Sequence, residues 1–137
     1  MKVVVCLDDR LGMTFGGRRQ SRDRVLIADL CRDVSKGERL LASEYSSILF
    51  DGMEVRPIYC EDFLNIAEKG DVCFVEDRAL APFIDRIDRL VIYRWNRHYP
   101  SDMTFDIDPD REGFELVKTC EFAGSSHEKI TKEIYER

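Results

Sequence analysis

The sequence lacks the features that mark several large classes of protein. It has no apolar run approaching the roughly 18 to 20 residues of a membrane-spanning helix. Its start reaches Asp8 and Asp9 before an apolar core forms, so it predicts no secretory signal. It has no internal repeat or linker, and its net charge of −6 argues against a general nucleic-acid coat. We therefore expect one cytoplasmic domain over residues 1–137, with no membrane contact and nucleic acid an unlikely partner.

Metal-ligating patterns are also scarce. The only histidines are His98 and His127, and no two of the five cysteines are close enough for a zinc knuckle. Each cysteine lies in an apolar stretch, so we expect buried thiols in a reducing compartment. The acidic segment Asp106–Asp110 departs from the calcium-loop pattern at Arg111 and Val117 and predicts a turn. We expect no metal site.

The apolar pattern that is present predicts strands alternating with short helices. We expect strands at Lys2–Leu7, Leu40–Ala42, Val55–Tyr59, Asp71–Val75, Leu90–Trp95 and Phe114–Phe122, and helices from Ser21 to about Ser35 and over Glu44–Leu49, Glu61–Lys69 and Pro82–Asp88. The segment Asp8–Gln20 is expected to be a loop. This alternation indicates an α/β domain with a mostly parallel sheet and helices on both faces.

The first helix carries the clearest local signals. Ser21 is the expected N-cap, and Asp23 in the first turn suits the positive end of the helix dipole. Apolar residues recur at helical spacing along one face, which we expect to be buried: Ile27, Leu30, Cys31 and Val34.

The segment Ser125–Arg137 fits two structures. Ser125 and Glu128 have the spacing of a capping box, which favours a helix. Ile130 and Ile134 with their intervening residues fit a final strand equally well. Both alternatives stay open on the pattern alone.

Taken in order, three segments resemble a shortened dihydrofolate reductase. The opening VVVCLDDRLGMTF, with Asp9-Arg10-Leu11-Gly12, is similar to that family's first strand and following loop. Asp71–Asp106 resembles its later strand–helix–strand unit, and FELVKTCEF…SSHEKITKEIYER resembles its terminal antiparallel hairpin. The middle, about Leu40–Glu68, is shorter than in the family. The resemblance implies a dihydrofolate reductase-like α/β fold, with a mostly parallel central sheet, flanking helices and a C-terminal antiparallel hairpin.

The whole chain also resembles a set of small bacterial proteins that are sometimes labelled ribonuclease Z, a dizinc phosphodiesterase. That chemistry needs an H-x-H-x-D-H motif and further histidines to hold two zinc ions. Two isolated histidines do not supply it, so we reject the label. A metal-free nuclease that uses His98 and His127 as acid and base is an alternative.

The resemblance also implies where a cofactor would bind. Reductases of this family hold the NADPH pyrophosphate on a glycine run just after the strand that matches Cys73–Val75. This chain has Glu76-Asp77-Arg78 there, so carboxylates would face the phosphates and side chains would fill the approach. We therefore expect no ordinary NADPH site and no cofactor.

A carboxylate on the family's first helix binds the pterin ring and helps to protonate it. Asp23 falls near that position, which makes it a weak catalytic candidate. Its simpler role is the helix-dipole interaction, and we favour that role. The enzyme alternative is a pterin-type reductase with Asp23 as proton donor and atypical cofactor binding.

The sharpest anomaly is a basic segment in an acidic protein. Arg18, Arg19, Arg22 and Arg24 run with Ser21 from a glycine-bearing loop into a helix N-terminus. Guanidinium groups, free N–H groups and the helix dipole together suit a phosphate or carboxylate. We predict binding of a small anionic or nucleotide-like ligand, such as a phosphate-bearing one. A solvated charged loop is the alternative.

A second cluster at 93–99 alternates aromatic and cationic side chains. Arg94 and Arg97 are further ligand-binding candidates. Trp95, with Arg97, is typical of a surface that stacks a base, which keeps nucleic-acid binding as a third hypothesis. We favour core packing for the aromatic side chains.

Overall fold

The computed structural model describes all residues, 1–137. In chain order the elements are β1 Lys2–Leu7, β2 Gly12–Phe15, β3 Arg18–Arg19, α1 Arg24–Asp33, β4 Leu40–Ala42, a 3-10 helix Glu44–Phe50, β5 Ile58–Tyr59, α2 Phe63–Ile66, β6 Val72–Phe74, a second 3-10 helix Ala81–Arg86, β7 Arg89–Arg94, β8 Met103–Thr104, β9 Glu115–Phe122 and β10 Ile130–Glu136. None of the helices combines the length and the apolarity that crossing a membrane requires.

A seven-stranded sheet forms the centre, in the order β5-β4-β6-β1-β7-β10-β9. The first five strands of that order run parallel, and β10 pairs antiparallel with both β7 and β9. β1 lies in the middle and pairs along its whole length with β7. Its β-branched valines suit a strand that is covered on both faces. The expected mostly parallel α/β sheet with a terminal antiparallel hairpin is confirmed.

Alternate residues of β1 serve two separate cores because successive side chains point to opposite faces. Val3 and Val5 belong to a cluster that includes residues of α2, whereas Val4 belongs to a cluster that includes residues of α1 and the first 3-10 helix. On α1 the buried residues are Leu26, Ile27 and Leu30. Two of the four residues expected on the buried face are only half-buried, namely Cys31 and Val34.

The segment Asp8–Gln20 is not the plain loop that the sequence predicts. β2 and β3 form an antiparallel hairpin, and β2 also pairs with β8 to give a small second sheet. Gly16 and Gly17 form its turn with φ values of 59° and 75°. Two consecutive residues at positive φ close a tight hairpin, and glycine adopts this conformation without strain.

The C-terminal segment is a strand, so the capping-box interpretation is wrong. The Ser125 hydroxyl does not cap its own segment. It accepts a hydrogen bond at 3.0 Å from the backbone N–H of Arg24, at the start of α1. β9 forms the exposed edge of the sheet and places Cys120 in solvent. The expected burial of every thiol therefore fails at Cys120, although all five cysteines are free.

Candidate functional site

The carboxyl ends of β1 and β6 and the start of α1 enclose a narrow cleft. The enclosed part of the cleft holds only about 20 Å³, and a volume of about 390 Å³ is reached when the open solvent at its mouth is included. Apolar side chains line its interior, and polar side chains of the basic segment surround its mouth. Small-molecule sites in open parallel sheets form at this edge, and their walls are mostly apolar with a few placed polar groups. The lining includes Leu26, Leu49, Phe74, Arg19, Ser21 and Arg22.

Arg19 is bound to Glu76 across the mouth of the cleft. Its Nε lies 2.8 Å and its Nη2 3.0 Å from the two carboxylate oxygens of Glu76. The hydrogen bond to Glu76 raises the pKa of Arg19 above its ordinary value. Ser46 donates a further hydrogen bond to Glu76 at 2.7 Å. Arg19 is therefore a paired cation, and Glu76 carries less uncompensated charge than the sequence suggests.

Asp23, not Ser21, is the N-cap of α1, which corrects the expected cap. Its side chain accepts hydrogen bonds from the Val25 and Leu26 backbone N–H groups, at 3.0 and 3.2 Å. The sequence does not identify Asp23 as the N-cap because Ser21 and Asp23 are both good N-cap residues and lie two positions apart. Sequence spacing does not decide between them.

The same carboxylate ties the C-terminal hairpin to α1. The Ser125 and Ser126 backbone N–H groups donate to Asp23 at 3.0 and 2.8 Å. Burial acts to raise the pKa of Asp23, but these hydrogen bonds and one from His127 lower it below its ordinary value of 3.8. Asp23 is therefore an ionised acceptor that argues against the proton-donor role of the pterin hypothesis.

His127 lies behind the cleft, fully enclosed. Its Nδ1 is 3.1 Å from Asp23 Oδ2, and the two side chains are 1% and 0% exposed. Trp95 stacks on the imidazole with ring centroids 4.5 Å apart. On the other nitrogen, Nε2 lies 2.9 Å from the Tyr99 hydroxyl and 3.2 Å from the Ser21 hydroxyl. Ser21 is thus the polar link between the cleft and this buried group.

The remaining arginines of the basic segment have no carboxylate partner within ion-pair distance. Arg18, Arg22 and Arg24 are all exposed. Arg22 borders the cleft and also a more open recess beside it, which Arg24 shares. Arg18 borders neither.

The second basic cluster does not join the first. Arg94 pairs with Glu133 at 2.6 Å, and Arg97 is exposed in the loop after β7. Tyr93 and Trp95 are 0% and 5% exposed, so the predicted core packing of these aromatic side chains is confirmed. Trp95 faces His127 and the cleft rather than solvent.

The segment after β6 has a specific local structure at the place where the family resemblance puts a glycine run. Shortly after Glu76-Asp77-Arg78, the backbone N–H groups of Leu80 and Ala81 donate to the Asp106 carboxylate at 2.9 Å each. These two donors are therefore occupied by one of the chain's own carboxylates. This supports the expectation of no ordinary NADPH site, which stays a prediction.

Sequence reasoning singled out His127 but did not link it to Asp23, Ser21 or Tyr99. These residues come from three distant parts of the chain, and only the antiparallel placement of β10 brings them together. The sequence feature that bears on this arrangement is the choice between strand and helix for Ser125–Arg137, because that choice decides where the loop containing His127 lies.

No protein-family model matches this chain, and no curated protein matches it in sequence. Among solved structures it is similar to a dihydrofolate reductase from Enterococcus faecalis, complexed with NADP(H) and RAB-propyl. The TM-score is 0.68 at 13% identity, and the match covers 99% of this chain and 95% of that chain. The protein therefore has a dihydrofolate reductase-like fold, as the sequence resemblance implies.

Proposed function

We propose that this protein binds a small anionic, nucleotide-like ligand at the cleft between α1 and the carboxyl ends of β1 and β6. The apolar part of the ligand would enter between Leu26, Leu49 and Phe74. Its charged group would lie at Arg22, where cleft and outer recess meet. The observation that carries the proposal is Arg22 itself, an exposed arginine without a carboxylate partner at the mouth of an apolar cleft.

The ion pairs reduce the number of arginines that are free to bind the ligand. Arg19 and Arg94 already hold carboxylates, so binding a ligand through them means breaking an ion pair. Binding a ligand through Arg22 or Arg24 breaks no ion pair. Because guanidinium groups bind phosphate in a bidentate manner, Arg22 is the principal anion contact in this proposal, with Arg24 as a second contact.

Two other functions are less well supported. The pterin reductase needs Asp23 as a proton donor, whereas its hydrogen bonds favour the ionised form. Nucleic-acid binding needs Trp95 to stack on a base, whereas it is buried against His127. The free thiols fit the cytoplasmic location that the sequence predicts.

Calorimetric titration with adenosine 5′-monophosphate tests the proposal. Arg22→Ala should weaken binding by about tenfold or more, since losing one charge-assisted contact costs about 1.5–3 kcal/mol. Arg18→Ala is the matched control, because it removes the same charge from the same segment but borders neither cavity. No binding by the parent protein, or equal losses in the two variants, would overturn the proposal.

A further inference from the structure

Three polar side chains connect the cleft to the buried interior. The Ser21 hydroxyl lies 3.2 Å from Nε2 of His127, and Nδ1 of His127 lies 3.1 Å from Oδ2 of Asp23. The hydroxyl and the carboxylate are thus on opposite nitrogens of one imidazole. This order of groups is how unrelated hydrolases activate a serine, and it is recognised by geometry rather than by sequence position.

We infer that Ser21 is the nucleophile of an acyl-transfer site, with His127 as its general base and Asp23 as the positioning carboxylate. The substrate class is a small activated acyl compound such as an ester. The inference goes beyond the proposed ligand binding. It rests on the same cleft admitting a small molecule, but it does not require Arg22.

The tautomer of His127 follows from its neighbours. Asp23 is ionised, so the Nδ1 hydrogen of the imidazole points to its carboxylate and Nε2 is left as an acceptor. The Ser126 hydroxyl also lies 3.1 Å from Nδ1 and does not approach Nε2. When Ser21 gives up its proton, the positive imidazolium therefore forms beside a buried negative charge.

The surroundings of His127 favour this role. Trp95 stacks on one face of the ring at 4.5 Å and keeps water from it. The only competing group at Nε2 is the Tyr99 hydroxyl at 2.9 Å, which does not line the cleft. One lone pair serves one hydroxyl at a time, so Tyr99 holds the resting state and Ser21 replaces it during reaction.

No other side chain in the cleft is an equal nucleophile. Burial raises the pKa of the Cys6 thiol well above its ordinary value, which keeps that thiol protonated at neutral pH. The backbone N–H groups of Ser21 and Arg22 donate to no backbone carbonyl. Unpaired N–H groups of this kind would be needed to stabilise the negative charge that develops on an acyl oxygen.

The reaction proceeds in two balanced steps. In the first, the Ser21 oxygen bonds to the acyl carbon, His127 takes the hydroxyl proton, and the bond to the leaving alcohol breaks as that proton passes to its oxygen. In the second, water attacks the acyl-serine through the same base and releases the acid and the free hydroxyl. No oxidant, metal or further reactant is needed.

Covalent labelling with an alkyl fluorophosphonate tests the inference, with the adduct located by peptide mass spectrometry. We expect one adduct, on Ser21, and its loss in Ser21→Ala. His127→Gln should slow labelling by about a hundredfold or more, the usual contribution of a general base. Turnover of p-nitrophenyl acetate should show a burst of p-nitrophenolate from the parent but not from Ser21→Ala.

Two further variants separate catalysis from a structural role. Tyr99→Phe removes the competing hydroxyl and should label at least as fast as the parent protein. Asp23→Asn keeps a good N-cap but places an amide N–H₂ against Nδ1, which moves the imidazole hydrogen to Nε2. The same N–H₂ also faces the Ser126 backbone N–H, so the thermal midpoint should fall as well, and labelling is compared below the midpoint of the variant. Labelling of the folded variant should fall sharply at every pH, which a purely structural contact does not predict.

Labelling of the parent no faster than of Ser21→Ala, or an adduct on another residue, would overturn the inference. So would equal labelling rates in the parent and a folded His127→Gln. If His127→Gln does not fold, Ser21→Ala and Tyr99→Phe still decide, because neither removes a contact to α1 or the sheet. Labelling at Ser21 by a parent protein that does not bind adenosine 5′-monophosphate would overturn the proposed function alone, and nucleotide binding without Ser21 labelling would overturn this inference alone.

Discussion

The ion pair between Arg19 and Glu76 is expected to be one of the stronger charge interactions in the protein. Both guanidinium contacts are short, at 2.8 and 3.0 Å, and the two side chains are only 17% and 8% exposed. Exposed pairs contribute about 0.2–1 kcal/mol, because solvent screens them and long side chains lose freedom. A bidentate, largely enclosed pair is expected to couple by about 1.5–3 kcal/mol.

The perturbation is a double-mutant cycle with Arg19→Met, Glu76→Gln and both changes together. Arg19 also donates to the Tyr45 carbonyl at 2.9 Å and lies 4.1 Å from the centre of that ring. Glu76 accepts from Ser46, which the glutamine carbonyl can replace. The single variants therefore overestimate the free energy that the ion pair contributes, whereas the cycle subtracts the contacts that each residue makes elsewhere. Urea unfolding at neutral pH gives the four free energies of unfolding.

The matched control is Lys129 with Glu121, a pair at 3.6 Å whose side chains are 58% and 55% exposed. We expect its coupling to be below about 0.5 kcal/mol and to vanish in high salt, whereas the Arg19 coupling should largely persist. Equal couplings in the two cycles would refute the reasoning. Arg19 would then be free to leave Glu76 for a ligand, and the emphasis on Arg22 would be lost.

Three further expectations concern stability and thiol reactivity. Because the pKa of Asp23 is lowered on folding, its contribution to stability is complete above about pH 4 and is lost as the pH falls below that value. Acid unfolding followed by circular dichroism should therefore have a shallower pH dependence in Asp23→Asn, and an unchanged slope would contradict this. Gly124→Ala places a methyl group against the Asp23 carboxylate and the Ile130 side chain, so chemical denaturation should show a loss of about 1–3 kcal/mol. Iodoacetamide should modify exposed Cys120 in the folded protein but not Cys73, which is buried and has its pKa raised to about 12. Equal modification rates at Cys120 and Cys73 would contradict this and would indicate that the structure around Cys73 opens locally.

The sheet was predictable from the sequence because its strands are locally distinctive. The valine-rich run Lys2–Leu7 has no competing structure. The expected strand Val55–Tyr59 contains Pro57 and forms only over Ile58–Tyr59, at the edge of the sheet. The helix signals are weaker. The run Glu61–Lys69 predicts a helix, of which only Phe63–Ile66 is helical, because the backbone already leaves the helical conformation at Ala67, with a ψ of 139°.

The candidate site was only partly predictable. The basic segment is visible in the sequence as a composition anomaly, so Arg22 could be singled out. Which arginines are paired depends on contacts such as Arg19 with Glu76, 57 positions apart. The histidine arrangement needs the register of β10 against β7, and one misplaced strand would move His127 away from Asp23.

The buried imidazole arrangement joins positions 23 and 127, a separation of 104 residues. Contacts so distant along the chain form only after large loops close, which is entropically slow and tends to come late in folding. The site therefore cannot exist in a partly folded intermediate that has the first helix but not the docked final hairpin. In a refolding experiment, protection of the backbone amides around Ser21 from hydrogen exchange should appear together with the global fold rather than before it. A chain that has not completed its tertiary structure lacks the proposed site, so the proposed acyl transfer would begin only once the final hairpin has docked.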